Sequence, residues 1–169
     1  MMTSNEDIKK FMGEDAVIIR YCQLANYNTI EELLPYDGAY AFVLVEEKRT
    51  RGHWTLITRY RDTIEFFDSL GVKFDGELSY IPKVIRRFLG EDKHLLTHLL
   101  KKAKWLKVIW NKKRFQKNLT GINTCGRHCI LRAIFMKMGY DLKTYQDLIQ
   151  EEIDRTLKPS DVLVVDLIK

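Results

Sequence analysis

The sequence is poor in the residues that build disulfide frameworks and linkers, with 3 cysteines and 3 prolines in 169 residues. The odd set Cys22, Cys125 and Cys129 excludes a fully paired framework and leaves thiol chemistry or plain burial. No internal repeat, low-complexity tract or Pro/Gly/Ser linker divides the chain, so residues 1–169 form a single domain, long enough to bury its own core. Long apolar runs are also missing. The run "YAFVLV" is far too short to cross a bilayer, and "MMTSNEDIKK" is polar and acidic before any apolar stretch. The expectation is a non-secreted protein of a reducing compartment with no membrane partner.

Acidic residues are absent over one long stretch. Between Asp92 and Asp141 there are none, while Lys and Arg occur twelve times. In "KKAKWLKVIWNKKRFQK" eight basic residues alternate with Trp105, Trp110 and Phe115. A basic strip with aromatics suits nucleic acid or an acidic partner, with Lys101, Lys102, Lys104, Lys112, Lys113, Arg114 and Lys117 as candidate contacts. The plainer alternative is a solvated basic face around two core tryptophans.

What is present points to an α+β protein. Ser4 and Asp7 before "IKKFM" predict a capped N-terminal helix, and Thr29 a short second one. "AYAFVLVEE" has strand composition. "HWTLITRY" and "TIEFFDSL", separated only by Arg61 and Asp62, predict a hairpin of two central strands covered on both faces. Helices are expected at "YIPKVIRRFLG" and "DKHLLTHLLKKAK", then a strand at "WLKVIW". "CGRHCILRAIFMKMG" is apolar on most sides and predicts the buried central helix. "TYQDLIQEEIDRTL" is amphipathic, and Pro159, Ser160 and Asp161 mark the capped start of a last helix.

Chemistry concentrates around "GINTCGRHCI". Cys125 falls where a polar loop meets that helix, and the unpaired N–H groups of a helix start favour an anion and lower a thiol pKa. Gly126 lets a substrate or neighbouring chain come close. A cysteine nucleophile needs a base, and His53, at the front of a central strand, is the best placed. His94 and His98 look like surface residues on a basic helix, and His128 shares the helix of Cys125. Asp68 ends the neighbouring strand at the same open end and can orient the imidazole. Its alternative role is the first residue of a "DSLG" turn. Gln116 is positioned to offer an amide to an oxyanion beside the Cys125 N–H, with Asn118 and Asn123 as competitors. Cys125, His128 and Cys129 also share a helical face, so two of them with His53 or Cys22 could hold zinc, but no second ligand pair exists in the sequence. The expected site therefore contains no metal.

Taken in order, "GHWTLI", "FFDSLG", Gln116 and "TCGRHC" resemble the adenovirus maturation protease (adenain-like) family, the cysteine proteases of large DNA viruses, virophages and related transposons, with the SUMO-specific proteases as cousins. The resemblance implies a papain-like α+β fold with a central mixed sheet and a buried helix starting at the nucleophile. It implies Cys125 as nucleophile, His53 as general base then acid, Asp68 orienting His53, Gln116 in the oxyanion hole and Trp54 packed beside the site. It also implies a monomeric enzyme that cleaves capsid or core precursors in the host cytoplasm or nucleus and in the virion. No cofactor is required on this reading, with activation by DNA or a peptide left open. Thr124 stands where the SUMO-specific branch has Asp, which favours maturation over ubiquitin-like deconjugation. A non-catalytic virion or nucleic-acid-binding protein on the same fold is the alternative of another class.

Overall fold

A computed structural model describes residues 2–49, 51–117 and 121–169. At the N-terminus, Ser4 Oγ accepts from the Asp7 N–H at 3.1 Å and the Asp7 carboxylate accepts from the Ser4 N–H at 2.8 Å. This reciprocal capping box satisfies two donors that a helix start leaves free, and it opens α1 (Asn5–Met12). Four residues too few for a periodic signal form β1 (Val17–Arg20), followed by a 3₁₀ turn over Tyr21–Asn26 and α2 (Ile30–Leu33). The predicted strands appear as β2 (Tyr40–Lys48), β3 (Arg51–Tyr60) and β4 (Thr63–Phe67). A second 3₁₀ turn (Glu77–Tyr80), α3 (Lys83–Leu89), α4 (Leu95–Lys102) and β5 (Lys107–Trp110) follow. The chain ends with α5 (Cys125–Lys137), α6 (Leu142–Thr156) and α7 (Ser160–Leu167).

The five strands lie in sequence order in one mixed sheet. The β2–β3 and β3–β4 pairs are antiparallel, whereas β1 and β5 run parallel to their neighbours at the edges. The side-chain period of 2 sends Val43, Val45, Ile57, Ile64 and Phe66 to one face, under α2, α4 and the 3₁₀ turns. Phe42, Leu44, Trp54, Leu56 and Phe67 go to the other, under α1, α5, α6 and α7. The fold is α+β, and both faces of the hairpin are covered as its composition requires.

Helix α5 lies in the second core, with Cys125, Cys129, Ile130, Leu131 and Ala133 buried against that face of the sheet. One buried position is charged. Arg132 and Glu65, both 0 % exposed, make a two-pronged pair, Nε–Oε1 and Nη2–Oε2, each 2.8 Å. Tyr60 donates to Glu65 at 2.9 Å, and Arg132 donates to the Tyr140 carbonyl at 3.1 Å. The pair fastens the helix that begins at Cys125 to β4, the strand that ends just before Asp68.

Two sequence expectations are corrected. Trp105 is 58 % exposed, stacked under the Arg59 guanidinium at 5.1 Å and bonded to Glu31, so the basic strip does not surround two core tryptophans. Asp161 does not cap α7 through its side chain. Its carboxylate faces the loop before α5 instead, where it accepts from the Lys117 N–H, the Thr124 hydroxyl and His128 Nε2.

Candidate active site

The site forms because β3 is longer than β4. The last β3–β4 pair is Leu56 with Phe67, so residues 51–55 of β3 have no β4 partner and the sheet opens at that end. His53 reaches into the opening, and Asp68, the residue after β4, meets it there. His53 Nε2 and Asp68 Oδ1 are 2.6 Å apart, with side chains 12 % and 0 % exposed. The imidazole also interacts with the Cys125 thiol. Cys125, at the first turn of α5, also accepts from the Trp54 N–H at 3.5 Å. Consecutive residues of β3 thus supply the imidazole and the backbone seat of the sulfur.

Electrostatics follow from this placement. Burial works against a charged His53, but the Asp68 charge, their hydrogen bond and the contact with Cys125 outweigh it and raise the imidazole well above its ordinary value. Burial likewise works against an ionised Asp68, yet His53 holds it below the usual carboxylate range. Cys129 is different, because burial pushes its thiol well up and its Sγ donates to the Trp54 carbonyl at 3.4 Å. Cys129 is a core thiol.

Both roles foreseen for Asp68 are realised together. Gly71 donates to the Asp68 carbonyl at 2.8 Å, closing a turn whose final φ of +73° suits glycine, and Leu70 donates to Asp68 Oδ1 at 2.8 Å. The turn orients the carboxylate. Asn111, just after β5 and 0 % exposed, clamps the Asp68 backbone by accepting its N–H at 2.9 Å and donating to its carbonyl at 2.5 Å. The sequence offered no signal for Asn111 beyond an amide at a strand end.

Gln116 lies in the loop between β5 and α5. Its carbonyl oxygen accepts from the Ser69 hydroxyl at 2.8 Å and its amide donates to the Ile122 carbonyl at 3.1 Å. Both the Phe115 and Gln116 N–H groups donate to the Ser69 carbonyl, at 2.8 and 2.9 Å. The amide is therefore fixed between the Asp68 turn and the approach to Cys125. Among the described residues no acceptor takes its second N–H. Asn118 lies outside the described residues, and Asn123 has no hydrogen bond that would give it the same anchoring.

The two neighbours singled out from the sequence have structural reasons. Trp54 is 2 % exposed, and its indole N–H donates to the Thr3 carbonyl at 2.9 Å. A Cβ on Gly126 would collide with the Thr3 side chain, so the close approach at Gly126 is made by the N-terminal segment. Gly126→Ala is expected to displace residues 2–4 and cost about 1–3 kcal/mol of stability through overpacking. Limited proteolysis should then release the N-terminal segment faster; unchanged resistance would contradict this packing.

A cleft of about 200 Å³ beside His53 is lined by Val45, Glu47, Leu70, Glu77, Ile81 and Arg114, among others. A roomier hollow of about 520 Å³ opens at the β3–β4 turn, but its lining, including Asp37, Tyr60, Asp62 and Asp141, contains neither cysteine nor histidine. The cleft beside His53 also contains a carboxyl group not foreseen from the sequence, Glu77, 6 % exposed.

The basic strip follows the β5 edge. Lys101, Lys102 and Lys104 are exposed at one end, and Lys112, Arg114 and Lys117 at the other, near the cleft. Lys113 is half-buried and donates to Gln150 at 2.7 Å. Among the described residues no three His, Cys, Asp or Glu side chains are grouped to hold a metal ion. His128 is engaged by Asp161 at 3.2 Å. Among them, too, no helix is long and apolar enough to cross a membrane.

No protein-family model matches the chain. It is 37 % identical over 146 residues to uncharacterized protein V9 of Sputnik virophage, an alignment that covers 85 % of this chain and 82 % of that protein. With that identity over most of both chains, the protein belongs to the family of the Sputnik virophage protein V9.

Proposed function

We propose that the protein is a cysteine endopeptidase of the adenain-like, papain-related kind, with Cys125 as nucleophile, His53 as base and Asp68 as the orienting carboxylate. The observation that carries this reading is that one buried imidazole, His53, interacts with the Cys125 thiol and bonds Asp68 through Nε2 at 2.6 Å. With Nε2 committed to Asp68, the second ring nitrogen is left for the thiol proton.

The reaction proceeds in two displacements. His53 takes the proton from Cys125, and the thiolate attacks the scissile carbonyl, forming the C–S bond and an oxyanion. The Cys125 N–H at the start of α5 and the Gln116 amide are the donors for that oxyanion. His53 then protonates the leaving amine as the C–N bond breaks, and later accepts a proton from the water that hydrolyses the thioester.

The relative is a virophage protein, and on this reading the substrates are precursor proteins of a virion, acted on at the site of assembly in the host cell and in the particle. Thr124 before Cys125, where the SUMO-specific branch has Asp, favours maturation over deconjugation of ubiquitin-like proteins; its hydroxyl donates to Asp161 at 2.5 Å. The exposed cations along β5 support a polyanion such as DNA as an activator.

The test is alkylation of the native protein by iodoacetamide near neutral pH, followed by intact mass. In a Cys22→Ser background, which removes the partly exposed third thiol, Cys125 should react alone, because burial holds Cys129 protonated. His53→Ala should slow the reaction by about 10–100-fold through loss of the imidazolium partner. Cys125 is only 4 % exposed, so the ratio between the two proteins is the readout rather than the absolute rate. Equal rates would sink the nucleophile assignment. Repeating the pair with double-stranded DNA tests the activator.

A further inference from the structure

Two buried carboxyl groups in the site have oxygens that no donor among the described residues satisfies. Asp68 Oδ1 takes His53 Nε2 and the Leu70 N–H, while Asp68 Oδ2 is buried with no partner. Glu77 Oε1 is buried in the same condition. Asp68 is 0 % exposed, and Glu77 is 6 % exposed on the wall of the cleft that His53 and Leu70 also line. Two acceptors without donors, on side chains that interact with one another, are both costly as ionised groups, yet a single proton satisfies both. We infer that Glu77 is a positioning residue of the proposed active site, its carboxyl protonated and donating from Oε1 to the Asp68 oxygen that faces away from His53.

The surroundings agree. Burial and the Asp68 charge raise Glu77 well above the usual carboxyl range, while the hydrogen bond from Glu77 is one of the influences that lower Asp68. The charged and titratable groups sharing the cleft are His53 from β3, Glu47 from β2, Tyr80 beside Glu77 and Arg114 from the loop after β5. Arg114 Nε is committed to the Leu70 carbonyl at 3.2 Å. The segment that presents Glu77 is itself held. Asp75 accepts from the Tyr21 hydroxyl at 2.6 Å and the Thr97 N–H at 2.8 Å, and Leu78 and Ile81 are in the core. Glu77 therefore acts on Cys125 only through Asp68 and His53.

This inference rests on the proposed Cys125–His53 pairing, and two readouts separate their failures. The first is the infrared spectrum near neutral pH, where wild type minus Glu77→Gln should show one carboxylic-acid C=O band. The second is the pH profile of Cys125 alkylation. Glu77→Ala leaves Asp68 Oδ2 unpaired, favours protonation of Asp68 and should move the acid limb up by about one unit, roughly tenfold in rate below it. Glu77→Gln, whose amide can donate in place of the acid, should rescue the rate to within about threefold. Absence of the infrared band overturns the shared proton. An unmoved acid limb in Glu77→Ala, or equal shifts in both variants, overturns the positioning role. If Glu77→Ala does not fold, the infrared comparison on Glu77→Gln decides alone. Alkylation that ignores His53 in wild type removes the nucleophile assignment, while the infrared band still reports on the carboxyl pair.

Discussion

Cys125→Ala is expected to abolish peptide-bond hydrolysis, a fall of about 10⁴-fold or more, while leaving the fold intact. The size follows from covalent catalysis: without the sulfur no thioester forms, and His53, Asp68 and Gln116 have no nucleophile to serve. The structural cost is small because the change removes one atom from a packed site, its contact with His53 and one long bond, Trp54 N–H to Sγ at 3.5 Å. A loss on the order of 1 kcal/mol is expected. Digestion of a peptide library by each protein, with new N-termini identified by mass spectrometry, measures the effect. The same cleavages from Cys125→Ala would reject the mechanism. Cys129→Ala is the matched control, since that thiol is fully buried and bonded only to the Trp54 carbonyl, and its removal should change stability and not turnover.

Glu65→Ala should be the most destabilising of the charge substitutions. It leaves the Arg132 guanidinium, 0 % exposed, without its counter-charge, with only the Tyr140 carbonyl and the face of the Tyr145 ring as remaining partners. Breaking one side of a buried pair costs about 3–5 kcal/mol, which for a domain of this size is roughly 6–20 °C in Tm. The double variant Glu65→Leu with Arg132→Met removes both charges and should recover most of that loss. Thermal unfolding of the three proteins decides the matter, and a Glu65→Ala loss under about 1 kcal/mol would show that the pair is not what fastens α5 to β4. The consequence for function is geometric. Cys125 stands at the start of α5 and Asp68 just beyond β4, so a shift between those elements separates the nucleophile from the base's partner.

Local pattern was enough to read most of the elements. The hairpin over His53 to Asp68 was legible because apolar residues on both faces flank a two-residue turn, and β3 and β4 meet at Arg61 and Asp62 as that pattern requires. The head of α5 was legible because a polar loop gives way abruptly to an apolar run. β1 was not, since four residues carry no period, and it is a strand only because β2 offers a parallel ladder. Arg132 and Glu65 were not, since charged side chains default to solvent and only a partner from another element makes their burial tolerable. Asp161 has the sequence context of a helix cap, but three donors from the loop and α5 compete for its carboxylate and win.

The amino-acid sequence by itself determined the α+β class, the placement of Cys125 at a helix start and the pairing of His53 with Asp68 across one hairpin. All of these depend on short-range periodicity and on turn chemistry that neighbouring residues specify. The tertiary structure alone decided that the thiol meets that imidazole, that Asn111 and Ser69 fix the Asp68 turn, and that Glu77 comes beside Asp68. Those contacts join residues far apart in the chain. No local preference encodes them, and they exist because burial in a common core makes each polar group find its partner across the sheet.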